Sequence, residues 1–165
     1  MDFTNKIIQW NCRGLKPNYN EILLLLSLLR PNVFCLQETF LKPEDNIVFK
    51  GYNLYNYIYE DGHKPSGGSS ILVNSTCPQR EIKLSTNLQA VAVSVSLDKE
   101  ITICSVYIPP NYALQSHQLD SLLQQLPSPY LILGDFNGHN MLWGCTKNNT
   151  RGEIIENFLT NNDLC

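Results

Sequence analysis

Five residues in this chain stand just past apolar runs and carry side chains able to do chemistry. Glu38, in CLQET, follows the run Val33–Leu36, and a carboxylate there is costly to bury unpaired, so it is either solvated or holding a cation. Asn11, in WNCRGL, closes the first apolar run, although a strand can also leave a core through an Asn and an Arg-Gly turn. Tyr107, in VYIPP, has a hydroxyl that can donate to a phosphate oxygen, with two prolines fixing the turn beyond it. An ordinary strand-end tyrosine would look the same. The fourth stretch, LILGDFN, is less generic. Gly134 permits an unusual turn, and Asp135 and Asn137 then project from one loop.

Positioning these residues requires strands that end at them. Lys6–Asn11, Val33–Gln37, Tyr52–Tyr59, Ser69–Asn74, Leu88–Leu97, Ile101–Ile108 and a buried Tyr130–Leu133 read as strands. Tyr19–Arg30 reads as a Leu-rich crossover helix closed by Pro31, Leu114–Leu126 as an amphipathic helix stopped by Pro127, and Gly152–Asn162 as a last helix. Residues 61–68 (DGHKPSGG) are turn chemistry. The pattern predicts an α+β fold of two packed, mostly antiparallel sheets with helices outside. Polar residues at the ends of several buried strands would converge on one site.

Bulk properties set the frame. A chain of 165 residues makes one domain, 1–165, and buries about 70% of its unfolded surface. The six cysteines show no C-x-x-C spacing, which argues against a zinc knuckle or a redox pair. Cys12, Cys35 and Cys104 sit in or beside apolar runs and read as buried free thiols, which fits a reducing, intracellular setting. No signal pattern or bilayer-length apolar run is present. The net charge of −3 and pI near 5.5 count against electrostatic capture of nucleic acid, an objection that a bound cation would partly relieve.

In order the motifs read N-x-R-G, Q-E-T, Y-x-P-P and G-D-F-N. This series resembles the endonuclease/exonuclease/phosphatase superfamily, whose members include apurinic-site nucleases, DNase I and inositol-phosphate phosphatases. GDFNGHNMLWG at Gly134–Gly144, then Arg151-Gly152, with the pair Gly67-Gly68 ahead of SSILV, is similar to the nuclease domain of jockey-type non-LTR retrotransposons. The resemblance implies a DNase I-like four-layer sandwich. It implies Glu38 as principal ligand of Mg²⁺, or of Mn²⁺ in its place, with Asn11 beside it. Asp135 would orient or deprotonate the attacking water, Asn137 would help hold water and phosphate, and Tyr107 would contact the scissile phosphate. Arg13, His139, Asn111 and Trp143 would meet the substrate.

The implied partner is a DNA duplex, read through backbone and groove shape. The implied setting is the nucleus, with a reverse transcriptase domain C-terminal in the intact element. Two departures stand out. Pro110 occupies a position where apurinic nucleases have Asn, which leaves a contact from Asn111 open. Family members also carry a terminal Ser-Asp-His motif that completes the metal site. Residues 1–165 end at Asp163-Leu164-Cys165 without it. The expectation is a domain lacking its last strands, with an unpaired sheet edge and weak or absent nuclease activity in isolation. His63 and His117 read as solvated, and His139 as structural or DNA-facing. An inositol-phosphate-type phosphatase is the second reading, favoured by the acidic charge, and a catalytically silent retroelement relic is the third.

Overall fold

The computed structural model describes residues 5–60 and 65–164. His63, Cys165, residues 1–4 and the first part of the expected turn at 61–68 lie outside the described residues. The chain opens with β1 (Ile7–Asn11), α1 (Tyr19–Leu29) and β2 (Val33–Gln37), and β1 and β2 run parallel. β3 (Tyr52–Tyr57) and β4 (Ser69–Asn74) form an antiparallel pair, and β4 lies against β2, giving the sheet order β1-β2-β4-β3. The second sheet, ordered β5-β6-β7-β8, comprises β5 (Gln79–Ile82), β6 (Gln89–Ser96), β7 (Glu100–Tyr107) and β8 (Tyr130–Asp135). α2 (Ser116–Leu123) is the crossover that makes β7 and β8 parallel, and α3 (Thr150–Asn161) follows a short helical turn at Met141–Trp143.

Alternation along the strands builds four layers. Val33 and Cys35 of β2, with Ile71 and Val73 of β4, face Val91, Val93 and Val95 of β6 and Ile103 of β7 between the sheets. The intervening Phe34, Leu36 and Leu72 point outward and pack under Ile22 and Leu26 of α1. On the other side, Ala90, Ala92, Cys104 and Val106 meet Leu119 and Leu122 of α2 and Ile155 and Phe158 of α3. Covering both faces explains why Val33–Leu36 of β2 and Ala90–Val93 of β6 are apolar at successive positions rather than alternating. Each large side chain so buried contributes roughly 1.5–3 kcal/mol before conformational entropy is counted. The two-sheet, helix-flanked reading holds.

Three local readings are amended. The polar segment QREI, to which no element was assigned from sequence, is strand β5, pairing Gln79–Ile82 with Val95–Ala92 at a sheet edge where polar residues are tolerated. Tyr130–Leu133 is not a buried strand. It continues to Asp135, its residues are partly exposed, and Leu131 reaches 36% exposure, because β8 is an edge strand among the described residues. The α-helix expected over Leu114–Leu126 is confined to Ser116–Leu123, where the Gln115 and Gln118 side chains cap each other's backbone. Leu114 and Leu126 flank it as buried anchors.

The thiols report on this packing. Cys12, Cys35 and Cys104 are buried, whereas Cys77 and Cys145 are partly exposed. Burial pushes the Cys12 thiol up to about 11 and that of Cys104 up to about 12, and raises Cys35 as well. All three therefore stay protonated and unreactive near pH 8. A disulfide reagent at pH 8 is expected to label Cys77 and Cys145 in the native chain, and the buried three only after denaturation. Rapid native labelling of Cys35 or Cys104, read by peptide mass, would contradict the layered core.

Candidate active site between the two sheets

Parallel neighbours end on the same side of a sheet, and here both parallel pairs end at the same end of the sandwich. Asn11 pairs with Gln37, so Asn11 and Glu38 emerge together from the first sheet. Tyr107 pairs with Asp135, so these two emerge together from the second. Register, rather than proximity in sequence, assembles the four groups. Close packing of β7 on β8 depends on Gly134, where a Cβ would stand 1.9 Å from the Val106 carbonyl oxygen.

The turn carrying Glu38 is held from several sides. Glu38 has φ +52°, a left-handed conformation that side chains rarely adopt. Its carbonyl accepts from Gly14 N–H at 2.7 Å and that of Thr39 accepts from Leu15 N–H at 2.9 Å, which ties the Arg-Gly turn onto it. Phe40 N–H donates to the Gly67 carbonyl at 3.0 Å. Gly68 lies so close beneath that a Cβ would come within 2.6 Å of Thr39 Oγ1.

One amide spans the two sheets. Asn11 Nδ2 donates to Glu38 Oε1 at 2.8 Å and to Asp135 Oδ2 at 2.7 Å. Two carboxylates from different sheets are thus held on one NH₂ group, which offsets part of their mutual repulsion. Asp135 Oδ1 accepts from Asn137 N–H at 3.1 Å, and Asn137 Nδ2 donates to the Ile108 carbonyl at 3.1 Å, which fastens the GDFN loop to the end of β7. Asn137 itself sits at φ +49°.

Tyr107 is 6% exposed, with its hydroxyl beside the Glu38 carboxylate. Burial first, then the Glu38 and Asp135 charges, push the phenol up to about 12, against an opposing pull from Arg13. The hydroxyl is therefore a donor throughout the neutral range. Because the folded-state value is raised above the ordinary 10, the resulting stabilisation is intact below pH 10 and is lost as pH rises through about 12. Comparing tyrosinate absorbance of wild type and Tyr107→Phe is expected to show that the missing transition is the one near 12. A missing transition near 10 would contradict this environment.

The remaining sequence candidates fall into three places. His139 and Trp143 line a cleft of about 510 Å³ together with Gln9, Asn11, Asp135 and Asn137. Arg13 is exposed at the rim, its N–H donating to Asn11 Oδ1 at 3.3 Å. Asn111 is apart from these, lining a separate hollow of about 250 Å³ beyond Tyr107 with Tyr59, Gln89 and Tyr112. His117 is exposed on α2, away from the site.

Sequence reasoning passed over the polar chain beneath the site. Gln9 Nε2 donates to Gln37 Oε1 at 2.5 Å, and Gln37 Nε2 donates to Ser105 Oγ at 2.9 Å. Ser105 Oγ and Ser69 Oγ are 2.7 Å apart. Gln37, Ser69 and Ser105 are fully buried, and they link the strands just below Asn11, Glu38 and Tyr107. The available signal was a Gln and two Ser inside otherwise apolar strands.

The donor set around Asn11 is all oxygen: the Glu38 and Asp135 carboxylates and Asn11 Oδ1. That suits a hard cation such as Mg²⁺, which takes one or two carboxylates and keeps several waters. Among the described residues no group of three or more His, Cys, Asp or Glu side chains clusters as a dedicated metal cage.

Comparison with known proteins follows the same lines. The Endonuclease-reverse transcriptase family matches residues 101–165. The RNA-directed DNA polymerase from mobile element jockey of Drosophila funebris is 26% identical over 160 residues, which is 96% of this chain and 18% of that relative. The chain thus spans less than a fifth of the relative's length. Among solved structures, the endonuclease domain of TRAS1, a telomere-specific non-LTR retrotransposon, has a TM-score of 0.78 at 20% identity over 95% of this chain and 71% of that one. The 3′ phosphatase NExo from Neisseria, bound to product DNA hairpin, has a TM-score of 0.68 at 17% identity over 95% and 71% of the two chains. At such identities the structural likeness establishes the fold. The likenesses in sequence and in fold together support a retrotransposon endonuclease-like domain of the endonuclease/exonuclease/phosphatase superfamily.

Proposed function

We propose that this retrotransposon endonuclease-like domain is a divalent-metal-dependent DNA endonuclease, nicking one strand of a target duplex to expose a 3′-hydroxyl for reverse transcription. The observation that carries the reading is the Asn11 amide holding Glu38 and Asp135 together from opposite sheets. Distant residues have no packing reason to bring two carboxylates to one point at strand ends, and a site for cationic and phosphate chemistry supplies one.

Glu38, with Asn11 Oδ1, would hold Mg²⁺, and Mn²⁺ would substitute. When bound, the cation relieves charge on the phosphoryl oxygens and on the departing 3′ oxygen. Asp135 accepts a proton from the water that attacks phosphorus. Asn137, fastened to Ile108, positions that water, and the protonated Tyr107 hydroxyl donates to a phosphoryl oxygen. The P–O3′ bond breaks, the 3′ oxygen takes a proton from solvent, and the phosphate stays on the 5′ side. Arg13 at the rim and His139 and Trp143 on the cleft wall would meet the duplex. A reverse transcriptase domain elsewhere in the same polypeptide would use the 3′-hydroxyl, and the work would be done in the nucleus, where chromosomal DNA lies. No helix among the described residues is long and apolar enough to cross a membrane.

A phosphatase acting on an inositol phosphate is the second reading, favoured by the net charge of −3. The full-length gene product, incubated with Mg²⁺ and either supercoiled plasmid or inositol polyphosphate, separates the two. Plasmid nicking that chelator abolishes supports the endonuclease. Phosphate release from inositol polyphosphate without nicking replaces it with the phosphatase, and turnover of neither substrate leaves a catalytically silent domain.

A further inference from the structure

The Arg151-Gly152 pair stands 14 residues or more beyond the GDFN loop in sequence, and no role for it follows from the chemistry above. Its surroundings supply one. Arg151 Nη2 donates to the Pro110 carbonyl at 2.9 Å and to the Tyr112 carbonyl at 2.6 Å. Arg151 Nη1 reaches the Phe136 and Asn137 carbonyls, each at 3.4 Å. One guanidinium therefore joins the loop after β7, which follows Tyr107, to the loop after β8, which carries Asn137. It makes no ion pair among the described residues, so its charge is spent on backbone oxygens. Burial lowers its pKa, and the Asp135 carboxylate opposes that fall.

Gly152 explains how the arginine gets there. A Cβ at Gly152 would stand 1.9 Å from the His139 carbonyl oxygen, so only glycine lets the first turn of α3 seat beneath the 138–140 loop. Asn149 Oδ1 fixes that seat by accepting from both Gly152 N–H at 2.7 Å and His139 N–H at 3.0 Å. From this anchored turn Arg151 projects between the two loops.

We infer that Arg151 is a positioning residue, a strut that sets the distance between the Tyr107 and Asn137 loops and so the alignment of their side chains on substrate. This rests on the endonuclease reading for its effect on turnover, but the strut itself can be tested without turnover. Four carbonyls are held by a planar fork of five donors, a geometry that a lysine ammonium cannot reproduce although it keeps the charge.

The test uses Arg151→Lys. In the 165-residue chain, amide hydrogen exchange is followed at Tyr112 and Asn137, and at Ile155 and Phe158 of α3 as reference. Loss of charge-assisted hydrogen bonds is expected to raise exchange at Tyr112 and Asn137 by 10- to 100-fold, an order-of-magnitude figure, with the helix amides unchanged. Unchanged exchange at Tyr112 and Asn137, or an equal rise throughout α3, would overturn the strut. In the full-length gene product, kcat for plasmid nicking is expected to fall about 100-fold with KM for DNA nearly constant. A rise in KM alone would also overturn it. If wild type and Glu38→Ala are equally inactive, the endonuclease reading fails while the exchange experiment still decides the role of Arg151.

Discussion

Replacing Glu38 with alanine is expected to remove specific Mn²⁺ binding from the chain and to lower magnesium-dependent nicking by the full-length gene product by about 10³- to 10⁴-fold, roughly 4–5 kcal/mol. The size of the effect follows from how few groups serve the site. Glu38 and Asp135 are the two carboxylates on the Asn11 amide, and Asp135 is already bonded to Asn11 and to the Asn137 backbone. Glu38 takes the Asn11 amide on Oε1 and has the Tyr107 hydroxyl beside its carboxylate, so it is the less tightly held of the two and the one that would take a cation. The substitution should also be felt at Tyr107, because the Glu38 charge helps raise that phenol. In Glu38→Ala the Tyr107 transition should move below its wild-type position near 12. Electron paramagnetic resonance of Mn²⁺ and tyrosinate absorbance measure these two consequences independently of turnover. Retained Mn²⁺ affinity together with an unmoved Tyr107 transition would remove Glu38 from the site.

Much of this arrangement was legible in the sequence, for a physical reason. A strand buried on both faces favours apolar residues on both, so Val33–Leu36 and Ala90–Val93 announce themselves, and the end of such a run marks where the strand approaches the surface. Asn11, Glu38, Tyr107 and Asp135 were singled out more loosely, because each stands at or just past the end of an apolar stretch. What such stretches cannot supply is register. Nothing in the letters of β1 and β2 says that Asn11 lies opposite Gln37, and the pairing that brings Glu38 onto Asn11 is a property of two strands together.

The omissions have the same origin. β5 was missed because an edge strand buries little and may be polar, so QREI carries no apolar signal. β8 was expected to be buried because YLIL is apolar, although its outer edge has no partner among the described residues. Arg151 left no trace of its role because its partners are backbone carbonyls, which every residue possesses. Asn111 was offered as a substrate contact only through the resemblance, and the turn after β7 sets it in the hollow that Tyr107 also lines.

Asp135→Asn is expected to retain the fold, with a melting temperature within a few degrees of wild type, while nicking falls by about 10²- to 10⁴-fold, the usual contribution of a positioned general base. The substitution is nearly isosteric, so the close packing of Gly134 on Val106 is undisturbed. One amide orientation keeps an oxygen towards Asn11 Nδ2, and the new NH₂ then faces the Asn137 N–H that formerly donated to Asp135 Oδ1. The other orientation reverses the conflict. Either way one of two hydrogen bonds is replaced by a pair of opposed donors, and the side chain can no longer take a proton from water. Loss of the fold would make the rate uninformative, which is why the melting temperature is measured on the same sample and Asp135→Glu is assayed beside it. The longer carboxylate restores a proton acceptor at the cost of position, so it should recover part of the rate that the amide loses. Asp135→Asn nicking within tenfold of wild type, with the fold intact, would mean that the proton leaves by another route and that Asp135 serves only to hold Asn11 and Asn137 in place.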